Sequence, residues 1–248
     1  MLVEPTFDKL RQLRLHGMLQ GLQEQKTSSQ YKDLSFEERL GLLIDREITE
    51  QENRRLTSRL RRASLRQQAC FENLDYSSRR NLDKGTMTEL AKCAWIGQKL
   101  NVLITGPCGV GKSYIACALA HNACMRGYTA LYLRATKLFE DMACAKGCGK
   151  YNQFLRTLGR VNVLVIDDWG LTILTDQERH DLLEVLEERH NVNSTIVTSQ
   201  LPLDHWHEVI GNPTLADAIL DRLVHNAYKI ALKGESLRKK SDRKSEKG

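Results

Sequence analysis

The stretch Asn101–Ala120, NVLITGPCGVGKSYIACALA, leaves this chain few folds to choose from. Val102, Leu103 and Ile104 form a short apolar run, as expected of a strand buried on both faces of a parallel sheet. The segment Gly106-Pro107-Cys108-Gly109-Val110-Gly111-Lys112-Ser113 follows and meets G-x-x-x-x-G-K-[ST] at every fixed position. Its glycines let the backbone curl until several N–H groups converge on one anion. Lys112 is then placed to reach the β and γ phosphates of ATP, and the Ser113 hydroxyl to ligate Mg²⁺. From Tyr114 to Met125 the pattern is helical, and a helix N-terminus aimed at the anion adds positive potential. Strand, phosphate loop and helix are thus expected in direct succession, with Gly106 to Tyr114 as the nucleotide-binding segment.

Such a loop needs a metal partner on a neighbouring strand, and VLVIDD supplies one. Four apolar residues end in Asp167, at the carboxyl edge where open α/β sheets bind ligands. Asp167 is expected to hold Mg²⁺ with Ser113, and Asp168 to orient or deprotonate an attacking water. Gln200, at the end of the strand STIVTS, is read either as a holder of that water or the γ-phosphate, or as a loop or capping residue. Arg222, near a helix end before the strand AYKIAL, has two readings as well. It is either a core ion pair with Asp221 or Asp217, or an arginine finger reaching a neighbouring subunit's ATP.

The pattern changes along the chain. Up to about Asn73 it reads as helical, with Leu15, Met18, Leu19 and Leu22 on one apolar face and a polar loop at TSSQYKD. Ser35-x-x-Glu38 is a capping box that opens a long helix. Strands and helices alternate from Leu100 onward, which predicts a parallel α/β sheet. Thr175-x-x-Glu178 caps one of its helices, and Pro213 opens another that runs to about His225. Three regions are expected: a helical N-terminal domain (1–70), an ATPase domain (71–234) and a mobile basic tail (235–248).

The net charge of +6 is concentrated in that tail and in RRLTSRLRRASLR, which contains no acid. Arg55, Arg59, Arg62 and Arg66 step by 4, 3 and 4 residues along one helical face. Together with Arg54 and Arg61 they form either a surface for the phosphates of DNA or an acidic partner, or a solvated basic face. Seven scattered cysteines without a C-x-x-C pair point to reduced structural thiols. With no membrane-length apolar run or signal peptide, a cytoplasmic protein is expected. His205-Trp206-His207 is read as a partner contact or as ordinary packing, with packing favoured.

GPCGVGKS, VLVIDDWG, IVTSQLPLDHW, LADAILDRLVHNA and KGESLRKK occur in order between about Phe71 and Lys240. Together they resemble the AAA+ ATPases of the IstB group, the transposition helpers of insertion sequences, and stand close to helicase loaders of the DnaC type. The resemblance implies a homo-oligomer with ATP at subunit interfaces that assembles on double-stranded DNA and recruits or activates a transposase. It also implies a five-stranded sheet in which the Gln200 strand lies between the P-loop and VLVIDD strands. Two residues depart from the wider AAA+ pattern: Asp168 stands where glutamate is usual, and Gln200 where asparagine is common. A separate C-terminal lid is not expected, and Arg238 is the candidate for the arginine such a lid supplies. A helicase loader is the alternative reading, and a P-loop kinase of small molecules a distant one.

Overall fold

The computed structural model describes residues 3–76 and 80–237. Arg238 and the remaining basic tail lie outside the described residues. The chain divides into two compact units between Ser58 and Arg59.

The first unit contains helix α1 (Val3–Gln12), helix α2 (His16–Thr27) and most of helix α3 (Phe36–Ala63). The capping box at the start of α3 forms: the Glu38 amide donates to Ser35 Oγ at 3.2 Å, and the Ser35 amide to Glu38 Oε2 at 2.8 Å. Nothing local caps α2. Buried Glu47 of α3 does so instead, accepting from the Gly17 and Met18 amides at 2.7 and 3.1 Å. A carboxylate at a helix N-terminus satisfies free amides and complements the helix dipole. The apolar face read from Leu15, Met18, Leu19 and Leu22 is only half-buried, and the buried residues of α2 are Gly17, Gly21 and Gln25.

Helix α3 ends at Ala63, well short of the Asn73 limit expected. Ser64 adopts a left-handed conformation (φ +49°), and the chain turns so that Ala63 and Ala69 are both buried. No glycine or proline marks this stop. Helix α4 (Lys84–Ala91) then starts on an Asp83 cap, whose carboxylate accepts the Thr86 amide at 2.6 Å, and helix α5 (Ala94–Gly97) follows.

The sheet comprises β1 (Asn101–Thr105), β2 (Ala130–Arg134), β3 (Val163–Trp169), β4 (Ser194–Ser199) and β5 (Ala227–Ala231). All pairings are parallel in the order β2-β3-β4-β1-β5, so the Gln200 strand does lie between the P-loop strand and the VLVIDD strand. Between strands run α6 (Lys112–Met125), α7 (Ala135–Gly147), α8 (Tyr151–Arg160), α9 (Asp176–Arg189), α10 (Trp206–Ile210) and α11 (Pro213–Val224). Thr175–Glu178 forms the capping box of α9, and Asn212 caps α11 just before Pro213. Apolar residues of β1, β3 and β4 pack with Leu138, Leu158, Val185 and Ile219 of the flanking helices into one core. Trp206 is fully buried in it, with its ring 6.0 Å from that of Trp169, whereas the flanking His205 and His207 side chains are about half exposed, so only the tryptophan of HWH is a packing element. Among the described residues, no helix is long and apolar enough to cross a membrane.

Candidate nucleotide site

The carboxyl edge of β1 opens directly into the phosphate loop. Val102, Leu103 and Ile104 are fully buried, which fixes where the loop begins. The Gly106 amide then bonds to the Ser199 carbonyl of β4 at 3.2 Å. Gly109 (φ +79°) and Gly111 (φ +98°) occupy the left-handed region, and both are crowded from outside. A Cβ on Gly109 would collide with Ser236, and one on Gly111 with the Arg80 guanidinium, so neither position admits a larger residue. Arg80 also donates to the Val110 carbonyl, gripping the loop from behind.

Residues just beyond Gly234 were expected to have little to pack against. Instead the Leu237 amide donates to the Gly109 carbonyl at 2.9 Å, so this segment crosses the loop.

Lys112 Nζ donates to the Gly106 and Pro107 carbonyls, each at 2.8 Å. Burial pulls its ammonium below the ordinary lysine range, although the thiol of Cys108 and the two aspartates oppose this. A buried ammonium gains most when an anion arrives beside it. Ser113 Oγ donates to Asp167 Oδ1 at 2.9 Å, which joins the loop to β3. Asp167 is fully buried and also accepts from the hydroxyls of Thr198 and Tyr132.

Asp168 sits on a β-bulge. Ile166 pairs with Val197 and Trp169 with Ser199, so β3 carries one extra residue against β4. The bulge holds Asp168 at φ +59°, and its amide donates to Thr198 Oγ1 at 3.1 Å. This re-aims the second carboxylate, so that adjacent acids on one strand reach the same site. Asp168 Oδ2 lies 3.7 Å from Arg66 Nη1 and 4.0 Å from Arg134 Nε.

These groups surround a cavity of about 430 Å³, whose wall includes Arg66, Lys112, Ser113, Arg134, Asp168 and Gln200. Cys108, Gly109, Gly111 and Tyr114 of the expected binding segment line it as well. The donor set suits magnesium: a hydroxyl and a carboxylate are hard oxygen ligands, and Mg²⁺ is usually held by one or two such groups plus phosphate. Among the described residues no cluster of three or more His, Cys, Asp or Glu offers an alternative cage.

The remaining site candidates separate. Arg222 is not on the cavity wall. Its backbone carbonyl accepts from Asn101 at the start of β1, the opposite end of the strand from the loop. Its side chain bonds Glu187 and the Ala218 carbonyl, each at 2.8 Å, rather than Asp217 or Asp221.

The arginine series also divides. Arg54 is neutralised by Glu47 and Glu50, at 3.2 and 3.6 Å. Acids one and two turns earlier on a helix lie on the same face, beyond the window in which no acid was counted. Arg59 donates to the Cys124 carbonyl at the end of α6, at 3.0 Å. Arg66 leaves the helical stripe altogether because α3 has already ended. Arg55, Arg61 and Arg62 stay exposed and make no ion pair with a described residue.

Thr198, Tyr132, Arg134 and Arg80 did not stand out in the sequence. Thr198 and Arg134 sit at carboxyl edges of strands, which is the one signal that marks them. Nothing local marks Arg80.

A parallel sheet in this order, with a P-loop on β1 and paired acids ending β3, defines a P-loop ATPase fold of the AAA+ type. Solved structures agree: DnaI (TM-score 0.56, 21% identity, 67% of this chain and 92% of that one) and the DnaC helicase loader (TM-score 0.52, 21% identity, 60% and 86%) share the fold. The family model described as IstB-like ATP binding protein matches residues 8–245, and this chain belongs to that family. An insertion-sequence ATP-binding protein of Sinorhizobium fredii, y4pL, is 51% identical over 99% of this chain and 100% of its own length. The insertion sequence IS21 ATP-binding protein of Pseudomonas aeruginosa is 30% identical over 98% and 91%.

Proposed function

We propose that this chain is a cytoplasmic, ATP-dependent DNA-binding regulator of insertion-sequence transposition. It assembles on double-stranded DNA as a homo-oligomer with ATP at its subunit interfaces, and it recruits or activates a transposase. ATP hydrolysis then resets the complex. The relatives named for insertion sequences support the biological setting.

The observation that carries the reading is the joining of Ser113, Asp167 and Asp168 at the mouth of the phosphate loop. The loop amides and Lys112 bind the phosphates. Ser113 and Asp167 would hold Mg²⁺, which would supply neutralising charge at the phosphates. Asp168, turned inward by the bulge, orients the attacking water. Arg222 faces away from its own site, which favours its service to a neighbouring copy. The exposed guanidinium groups of Arg55, Arg61 and Arg62 favour phosphate contact that positions a duplex without reading its sequence.

Steady-state ATP hydrolysis with and without long duplex DNA, with particle size followed in parallel, tests the proposal. Stimulation together with ATP-dependent assembly supports it. A monomer whose turnover ignores DNA overturns it.

A further inference from the structure

We propose that Arg66 is a terminal-phosphate ligand of the nucleotide site, contributed by the same chain, and that it sets a preference for ATP over ADP. The inference rests on the reading of the cavity as an ATP site and adds a residue that no motif of that site contains.

Arg66 belongs to no strand of the sheet. It lies beyond the end of α3, on a segment pinned to α6 from several directions. The Cys70 amide donates to the Tyr114 hydroxyl at 3.4 Å, and Ala69 is buried. The backbone at Arg66 and Gln67 lies against the buried thiol of Cys117, in the second turn of α6. These contacts deliver one guanidinium to the acid pair, with Nη1 at 3.6 Å from Asp167 Oδ2 and 3.7 Å from Asp168 Oδ2.

Those distances exceed hydrogen-bond length, and one nitrogen serves both carboxylates. A structural arginine pair is characteristically bidentate and short. Here the fork retains donors, and the side chain is 35% exposed toward the cavity it lines. An arginine guanidinium stays protonated at any physiological pH, so Arg66 is charged when nucleotide arrives.

Position decides which phosphate it meets. Ser113 and Asp167 would hold the metal, which in this class of site would supply charge neutralisation at the terminal phosphates. Asp168 marks the side from which water attacks, the γ side. A cation within 4 Å of both acids therefore stands at the terminal phosphate, and ADP offers it no partner. The fork can exchange this loose pairing for phosphate oxygens, which a planar guanidinium recognises bidentately.

The test is equilibrium titration of the full chain with fluorescent ATP and ADP in the presence of Mg²⁺, for wild type, Arg66→Ala, Arg66→Lys and Lys112→Ala. Arg66→Ala is expected to weaken ATP binding about tenfold or more while leaving ADP within about threefold, the loss of a charge-assisted bond made only to the last phosphate. Arg66→Lys keeps the charge without the fork and should fall between; it carries the same reading if the alanine variant fails to fold. Equal change in both affinities, or none in either, overturns the role of Arg66 while leaving the ATP site in place. Failure of wild type to bind ATP, or full ATP binding by Lys112→Ala, overturns the site reading itself.

Discussion

Thr198 of β4 donates its hydroxyl to Asp167 on the neighbouring strand, and its oxygen accepts the Asp168 amide at 3.1 Å. One side chain thus orients the acid proposed to hold Mg²⁺ and fixes the bulge that aims the second acid. Thr198→Val keeps shape and burial but removes both bonds. It should lower stability by about 1–3 kcal/mol, because buried polar groups lose a partner. Turnover should fall about tenfold, with ATP affinity changed less than about threefold. Thermal melting beside steady-state hydrolysis checks this; a destabilised variant with normal turnover would reduce Thr198 to a packing role.

The two aspartates should fail differently. Asp168 stands at φ +59°, a conformation that asparagine tolerates, so Asp168→Asn changes charge without adding backbone strain. ATP affinity should stay within about threefold, while turnover falls on the order of a hundredfold with loss of the general base. If Asp167 holds the metal as proposed, Asp167→Ala should shift the Mg²⁺ concentration needed for half-maximal turnover upward. Magnesium titrations of both variants separate these roles.

Arg222 bonds Glu187 in a pair whose partner is half exposed, so its removal should cost at most about 1 kcal/mol of stability. As a finger it should nevertheless reduce hydrolysis by about 10³-fold or more. Arg222→Ala has an intact acid pair, and Asp168→Asn an intact finger. Mixing them should restore part of the activity if the finger works across an interface. Additive rates from the mixture, or full activity of Arg222→Ala alone, would return Arg222 to its bond with Glu187.

The arginines of the helical stripe should no longer behave as one group. Alanine at Arg55, Arg61 and Arg62 should weaken duplex binding on unrelated sequences and flatten its salt dependence by about 0.9 per lost phosphate contact. Arg59→Ala should instead lower the melting temperature, because Arg59 serves the Cys124 carbonyl at the α6 terminus. Affinities measured over a range of salt, beside melting curves, distinguish the two. A stripe that weakens DNA binding uniformly, Arg59 included, would contradict this division.

What could be read along the chain was contiguous. The phosphate loop, its flanking strand and helix, the capping boxes at Ser35 and Thr175 and the Pro213 helix start are each encoded within a few residues, by backbone needs that tolerate little substitution. Asp167 was legible for a similar reason, as the first acid after a run of buried strand residues.

Other assignments failed where a local rule was extended past its element. Grouping Arg66 with Arg55 assumed a helix that continues, and no residue type announces the turn at Ser64. On either side of that turn Ala63 and Ala69 are buried, a gain that depends on tertiary packing rather than on the local sequence. The partners of Asp167 come from β2, β4 and α6: sheet order brings Tyr132 and Thr198 beside it, and the phosphate loop leading into α6 brings Ser113. Local sequence therefore specified the cradle, because backbone geometry dictates it. Tertiary packing decided which side chains surround the acids, because those contacts join residues more than thirty positions apart.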